Sequence, residues 1–454
     1  MNSRLLCGIV AAHLALTALV YALLPEVAHV AGDAQGYLAP ARQWLAGGGL
    51  DTSLRLPGYT LLLTGLLLLG PVAPLGVAVQ AGLLLATGVV TQRMADELFG
   101  PDTKPGRFPW VLVLTLFNPA AVIMVQWLLP GTFFALLAAV HLLYLLRFSR
   151  GGKLRAALLA GLAAGLCGLV RPNGVHVLLL APLALSAARL LAGKGRELSA
   201  ATPSRPAWLR LVAGMVLMLA AGGAVLAPQL FHMHAATGQW RLYSADYARY
   251  AVHDNLVMLT ARAEGLDNRA ALALLHERTA RLEGMPPEHF EALGWHDLHA
   301  RVAAHAEELV AAYPLSTLIR AVAHGLGVYL LDGGTSLWLD SFRVPQLSAR
   351  AALSALFRLD WGANRANLAA WLLPLGFVLA VRLAALPALV DVLRTRRPEW
   401  LLVLGYVVYF AAVAAFLGYA RYRLPSEGLL FVLAVHGGGM IRRCLSSARP
   451  GGAA

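Results

Sequence analysis

An acid, two tyrosines and an arginine stand together in the first polar break of an otherwise apolar chain. Gly32-Asp33-Ala34-Gln35-Gly36-Tyr37 runs on through Trp44 to Leu54-Arg55-Leu56-Pro57-Gly58-Tyr59. Three further arginines mark later polar interruptions. Arg171 opens Arg171-Pro172-Asn173, and Arg421 and Arg423 bracket Tyr422 in the stretch from Tyr419 to Glu427. A guanidinium is always charged and donates two parallel hydrogen bonds, which suits a phosphate head group at a membrane boundary. A carboxylate beside it can take the proton of an attacking hydroxyl. Each residue also has a plainer use: arginines snorkel to lipid phosphates or pair with an acid such as Glu427, and tyrosines are common belt residues. Four arginines around one loop acid favour a site over four separate anchors.

The rest of the chain must hold these groups in place, and its composition says how. Hydrophobic residues make up 58% and charged residues 13%, with mean hydropathy +0.64, whereas a soluble domain is charged at about a quarter of its positions. The fold class is therefore all-α, a polytopic helical membrane protein of roughly ten spans at ~20 residues each. The net charge of +13 sits in short basic clusters between apolar runs, a topology signal that gives no reason to invoke nucleic acid. Cys7, Cys167 and Cys444 lie in or beside apolar segments without CxxC pairing, which supports neither a disulfide framework nor a zinc site.

Leu5 to Leu24 follows Arg4 and reads as an uncleaved anchor with its amino end inside. The next apolar run, Pro57 to Leu69, is 13 residues long, short of the ~17 needed to cross. Treating it as a juxtamembrane helix predicts spans at 72–92, 108–126, 131–147, 154–170, 174–192, 208–230, 367–391, 400–418 and 426–441. Every basic cluster then falls on one side: Arg93, Lys104 and Arg107; Arg147 to Arg155; Lys194 to Arg210; Arg394 to Arg397; and Arg442 to Arg449. Counting the short run as a span would put the first three clusters outside, against the positive-inside rule. Both termini are expected in the cytoplasm of a bacterial inner membrane, with residues 25–71 on the periplasmic face.

Three regions are expected: transmembrane residues 1–231, a periplasmic or interfacial helical region over 232–366, and transmembrane residues 367–454. In the middle region Asp267-Asn268 can cap a helix that puts Leu272, Leu275 and Leu282 on one side. Leu315 to Leu331 is apolar but carries Arg320 and His324; it reads as interfacial, or as a span paired with a second crossing near Ala349 to Leu359. The histidines of this region, including His296-x-x-His299, lack further ligands at workable spacing, so helix-face histidines are favoured over zinc.

With the acid before a Tyr, Arg55-Leu56-Pro57-Gly58-Tyr59 opening a short helix, Arg171-Pro172 after a later span and Arg421-Tyr422-Arg423-Leu424-Pro425 near the end, the chain resembles the GT-C superfamily of integral membrane glycosyltransferases. The branch it looks most like contains bacterial protein O-mannosyltransferase relatives and the lipid A aminoarabinose transferase. The resemblance implies transfer of one sugar from a polyprenyl-phosphate carrier to an acceptor hydroxyl of a cell-envelope lipid, polysaccharide or protein, on the periplasmic face and usually with inversion. It implies Asp33 as catalytic base. Arg55, Arg171, Arg421 and Arg423 are then the candidates to hold the donor phosphate, and Tyr37, Tyr59, Tyr422 and Asn173 to bind the sugar or acceptor.

One departure from the family pattern is visible. Many relatives carry a second acid between the third and fourth spans, where this chain reads Trp127-Leu128-Leu129-Pro130-Gly131-Thr132. Either Asp33 works alone, or Asp246, Asp254, Asp332 or Asp340 substitutes, or activity is reduced or lost. The same lack weakens the case for a divalent metal, which wants several oxygen ligands; no cofactor is indicated. A carrier transporter or flippase would call for internal repeats and broken midplane helices, and an O-antigen polymerase or ligase would put its chemistry in later loops.

Overall fold

A computed structural model describes residues 3–25, 29–30, 32–52, 54–99, 108–192, 207–342, 365–415 and 420–447. An apolar run inside a bilayer has no water to satisfy its peptide groups, so it must close its own hydrogen bonds as a helix. The described residues accordingly form helices and no strand. They begin α1 (Ser3–Leu23), α2 (Gln35–Leu45), α3 (Pro57–Leu69), α4 (Val72–Phe99), α5 (Trp110–Leu116), α6 (Pro119–Gln126), α7 (Gly131–Gly151), α8 (Leu154–Val170), α9 (Asn173–Ala192) and α10 (Ala207–Thr237). A helical insertion follows as α11 (Ala245–Glu264), α12 (Asn268–Leu282), α13 (Pro287–Glu291), α14 (Trp295–Ala304) and α15 (Ala306–Ala311). The chain ends with α16 (Leu315–Leu331), α17 (Thr335–Ser341), α18 (Arg365–Thr395), α19 (Pro398–Ala414) and α20 (Ala420–Ser447).

Seven of these helices, α1, α4, α7, α9, α10, α18 and α20, are long and apolar enough to cross a membrane. The apolar helices α8 and α19 are shorter, at 17 residues each, and pack against α10 and α20 respectively. The span expected over 108–126 is a crossing in two pieces. Pro119 has no N–H to continue α5, and Asn118 caps α6 by accepting the N–H of Ala120 at 3.1 Å. The pair still traverses: Gln92 Oε1 takes the N–H of Val111 at 3.1 Å at one end of α4, and Gln80 donates to the carbonyl of Trp127 at 2.7 Å near the other.

The short apolar helix α3 does not cross. Its Gly58 packs on Leu169 and Val170 at the end of α8, and Leu69 turns through Gly70 into the start of α4, so both its ends lie on one face. Arg93, Arg147, Arg150, Arg394 and Arg442 all gather at the opposite face, where the ion pairs Arg147–Glu97 and Arg150–Glu399 tie α4, α7 and α19 together. Lys104, Arg107, Lys194, Arg196, Arg205 and Arg449 lie outside the described residues. Glycines seam α8 to α10: a Cβ on Gly161 would stand 2.2 Å from the carbonyl oxygen of Met218, and one on Gly165 would stand 2.7 Å from that of Gly222.

Helices α11 to α15 build a small core of their own from Leu256, Leu275, Phe290, Val302 and Leu309. Asp267 caps α12 through the N–H of Ala270 at 2.8 Å, as its position in the sequence predicts. Leu275 is buried, but Leu282, expected on the same face, is 46% exposed because α12 ends beside it and the chain turns away.

The ambiguous segment 315–331 dips into the bundle and returns. Tyr329 reaches Ser426 of α20 at 2.6 Å, Gly334 touches Ala120 near the middle of the α5–α6 crossing, and α17 climbs back until Ser341 accepts from Trp127 at 2.8 Å. Such a turn leaves carbonyls inside the bundle, and arginines satisfy them. Arg423 donates to the carbonyls of Tyr329 and Asp332, Arg382 to that of Leu330, and both pair with Glu427. The second crossing considered near Ala349 to Leu359 lies outside the described residues.

Candidate active site

Asp33 sits in a single 3-10 turn, Gly32–Ala34, that feeds directly into α2. Its carboxylate is held from two directions. Oδ1 accepts from Arg55 Nη2 at 3.1 Å, and Oδ2 accepts from Arg421 Nη1 at 2.9 Å, across 388 residues of chain. Arg55 can come this close because Gly36 has no side chain; a Cβ there would stand 3.0 Å from Arg55 Nε. The guanidinium of Arg55 lies over the Tyr37 ring at 5.2 Å, and Tyr37 in turn meets Tyr59 edge-on at 5.3 Å. Arg421 stacks on Tyr422 at 5.0 Å and donates to its hydroxyl at 3.0 Å.

Arg171 ends α8 in an extended conformation, so its side chain leaves the helix and enters the same cleft. It faces the rings of Tyr422 at 5.6 Å and Phe134 at 5.9 Å. Among the described residues no carboxylate forms an ion pair with this guanidinium, which lies against the two rings. Asn173 lines the wall at the start of α9, its carbonyl held by the Tyr409 hydroxyl at 2.9 Å. The cleft thus brings together Asp33, Arg55, Arg171, Arg421, Tyr37, Tyr422 and Asn173.

Two of the sequence-derived residues stand elsewhere. Tyr59 is buried behind Tyr37 and supports it. Arg423 is fully buried, and its donors serve Glu427 and the carbonyls of the re-entrant turn. Among the described residues Asp33 is the only carboxylate lining the cleft. Asp332 caps the re-entrant turn by accepting from Gly334 N at 2.9 Å, and Asp246 pairs with Arg249 at 3.1 Å. A divalent cation would find one carboxylate here, already engaged by two guanidinium groups, which is a poor match to its need for several oxygens.

The insertion supplies two residues that the motifs did not reveal. Tyr247 lines the cleft, and Tyr250 lies beneath Arg55 at 5.7 Å. Burial pushes the Tyr247 hydroxyl up to about 12, so it stays protonated and able to donate. The signal in the sequence was Tyr243, Tyr247 and Tyr250, spaced by four and three in a polar segment. Behind Tyr250, the rings of His253, His276 and His299 pack against one another, with 3.2 Å between the Nε2 atoms of His253 and His276.

That histidine group makes the insertion sensitive to acid. Burial, with smaller contributions from His253 and His299, lowers His276 from 6.5 to about 4. The unfolded chain therefore takes up this proton first as pH falls, so the stabilisation is full above about 6.5 and is lost towards 4. His305 has the opposite sign, raised by Glu308 and Glu283, but its partner Glu308 is 62% exposed and the pair is screened by solvent. Proteolysis of the full-length protein within residues 245–312 is expected to accelerate between pH 7 and pH 5, and His276→Phe is expected to flatten that dependence.

No family model and no curated protein sequence matches the chain. Among solved structures it is similar to the archaeal oligosaccharyltransferase AglB from Archaeoglobus fulgidus, solved with an inhibitory peptide and a dolichol-phosphate. The TM-score is 0.50 at 11% identity, over 97% of this chain and 52% of that one. The fold is of the GT-C type. The chain spans about half the length of AglB, at 52%. A second structure, ArnT from Cupriavidus metallidurans bound to undecaprenyl phosphate, aligns at TM-score 0.36 and 14% identity, over 99% of this chain and 80% of that one. In this GT-C fold the cleft occupies the face of the bundle that carries α2, α3 and the insertion, opposite the basic clusters.

Proposed function

We propose that the protein transfers a sugar from a polyprenyl-phosphate carrier to an acceptor hydroxyl on the periplasmic face of a bacterial inner membrane, with both termini in the cytoplasm. The observation that carries this reading is the meeting of Asp33 with Arg171 in one cleft: a proton acceptor beside a cation that no carboxylate pairs with among the described residues. AglB, which has the same fold, was solved with a polyprenyl phosphate, dolichol-phosphate.

Each oxygen of Asp33 accepts one guanidinium bond and keeps a lone-pair site for a hydroxyl. The acceptor oxygen attacks the anomeric carbon and gives its proton to Asp33. The bond from the anomeric carbon to the phosphate oxygen breaks, and the electron pair leaves with the polyprenyl phosphate. The leaving group remains an anion, so it needs cations and no proton donor. Arg171 provides the first, with the positive charge of Arg421 and Arg55 beside it. Tyr37, Tyr422, Tyr247 and Asn173 line the space for the sugar. The cleft they line has a cavity volume of about 90 Å³ and opens to solvent.

Arg171→Ala removes charge-assisted hydrogen bonds worth about 1.5–3 kcal/mol, or about 10- to 100-fold in carrier affinity. Titration of the purified variant with polyprenyl phosphate tests this. An affinity equal to wild type would remove Arg171 from the phosphate site.

A further inference from the structure

A recess lined by four basic residues stands on the face opposite the cleft. The last turn of α7 brings Arg147 and Arg150, and the first turn of α8 brings Lys153 and Arg155, to the rim of a recess of about 540 Å³. Gly152, with φ +61, makes the tight reversal that sets the two pairs side by side. One acid opposes them within the lining: Glu97, which accepts from Arg147 Nη2 at 2.6 Å and lends its backbone carbonyl to Arg150 at 2.7 Å. Arg150 also reaches Glu399 at 3.3 Å. Those bonds fix the two arginines in the wall, while Lys153 and Arg155 extend into solvent at the mouth.

The positive-inside rule accounts for cations at this end of the bundle. It does not account for four of them converging on one recess. Nor is the recess purely polar: Leu159 lines it, and Leu154 and Leu158 stand 46% and 36% exposed on the adjoining surface of α8. A soluble anion would gain nothing from that strip, whereas the chains of a lipid would lie along it. We infer that this recess holds the phosphate head group of an anionic lipid in the leaflet opposite the catalytic cleft. Lys153 and Arg155 close over the phosphate from the mouth, and Arg147 supports it from the wall, where Tyr144 stacks beneath its guanidinium at 5.3 Å.

The test uses the full-length protein in nanodiscs of phosphatidylcholine with a minor fraction of phosphatidylglycerol, with lipid retention read by native mass spectrometry. Wild type is expected to retain phosphatidylglycerol in preference to phosphatidylcholine. The double variant Lys153→Glu/Arg155→Glu is expected to lose that preference by roughly tenfold, and neither inorganic phosphate nor glycerol phosphate should displace the lipid. Both substitutions are at exposed positions, and matching thermal unfolding in pure phosphatidylcholine will show that the variant is folded; Lys153→Gln/Arg155→Gln serves if it is not. Equal retention by wild type and variant would overturn the proposal. So would displacement of the lipid by inorganic phosphate, which would make this a site for free anions.

Discussion

Replacing Asp33 by Asn is expected to abolish sugar transfer while leaving the protein folded and able to bind its carrier. A positioned general base contributes about 10²- to 10⁴-fold, and an amide cannot take the proton. The change is nearly isosteric at a side chain that is 33% exposed, so little packing is lost. It also removes the negative partner of both Arg55 and Arg421, which frees guanidinium donors for phosphate. Carrier affinity should consequently hold or rise as the transfer rate collapses. Rates from preloaded carrier, measured beside carrier titrations, separate these two effects. A normal rate in Asp33→Asn would show that the assigned base is wrong.

The second large effect is expected at Arg423, and it is one of stability. Arg423 is fully buried, pairs with Glu427 and caps the carbonyls of Tyr329 and Asp332 where the chain turns inside the bundle. Arg423→Ala strands those acceptors and leaves Glu427 to share Arg382 alone. Breaking a buried pair of this kind costs about 3–5 kcal/mol. The expected result is a sharply lower unfolding temperature and poor yield, with Arg423→Lys only partly restoring it because one ammonium cannot span the same acceptors. Arg171→Ala should unfold at the wild-type temperature. A stable Arg423→Ala protein with selectively weak carrier binding would instead return this arginine to the phosphate site.

The contrast between Arg421 and Arg423 shows where the sequence stops being informative. As a loop motif the two arginines look equivalent. The structure continues α20 back to Ala420, so they stand on a helix, where residues two apart point about 200° from one another. A helix that offers Arg421 to the cleft must turn Arg423 into the bundle. The short length of Pro57 to Leu69 and the sidedness of the basic clusters were legible because hydropathy and charge report directly on the bilayer. That Asp33, Arg55 and Arg171 would stand together was legible because polar groups are costly at a membrane boundary unless partnered, and the structure brings them to one cleft. Tyr247 and Tyr250 were not, since tyrosines in a polar helix carry no such penalty and their place at the cleft depends on how the insertion folds back. The dip of α16 and α17 depends likewise on buried partners distant in sequence, Arg382 and Arg423.

The most direct test of the catalytic reading is a transfer measurement with the purified wild-type protein in nanodiscs, given polyprenyl phosphate bearing a radiolabelled sugar together with cell-envelope fractions as acceptor. The expected result is that label leaves the carrier, one equivalent of polyprenyl phosphate appears for each sugar moved, and the labelled fraction identifies the acceptor. Tight binding of the carrier at the cleft, with the label remaining on it for every common sugar and every acceptor fraction, would contradict a transferase and leave a protein that binds or moves the carrier.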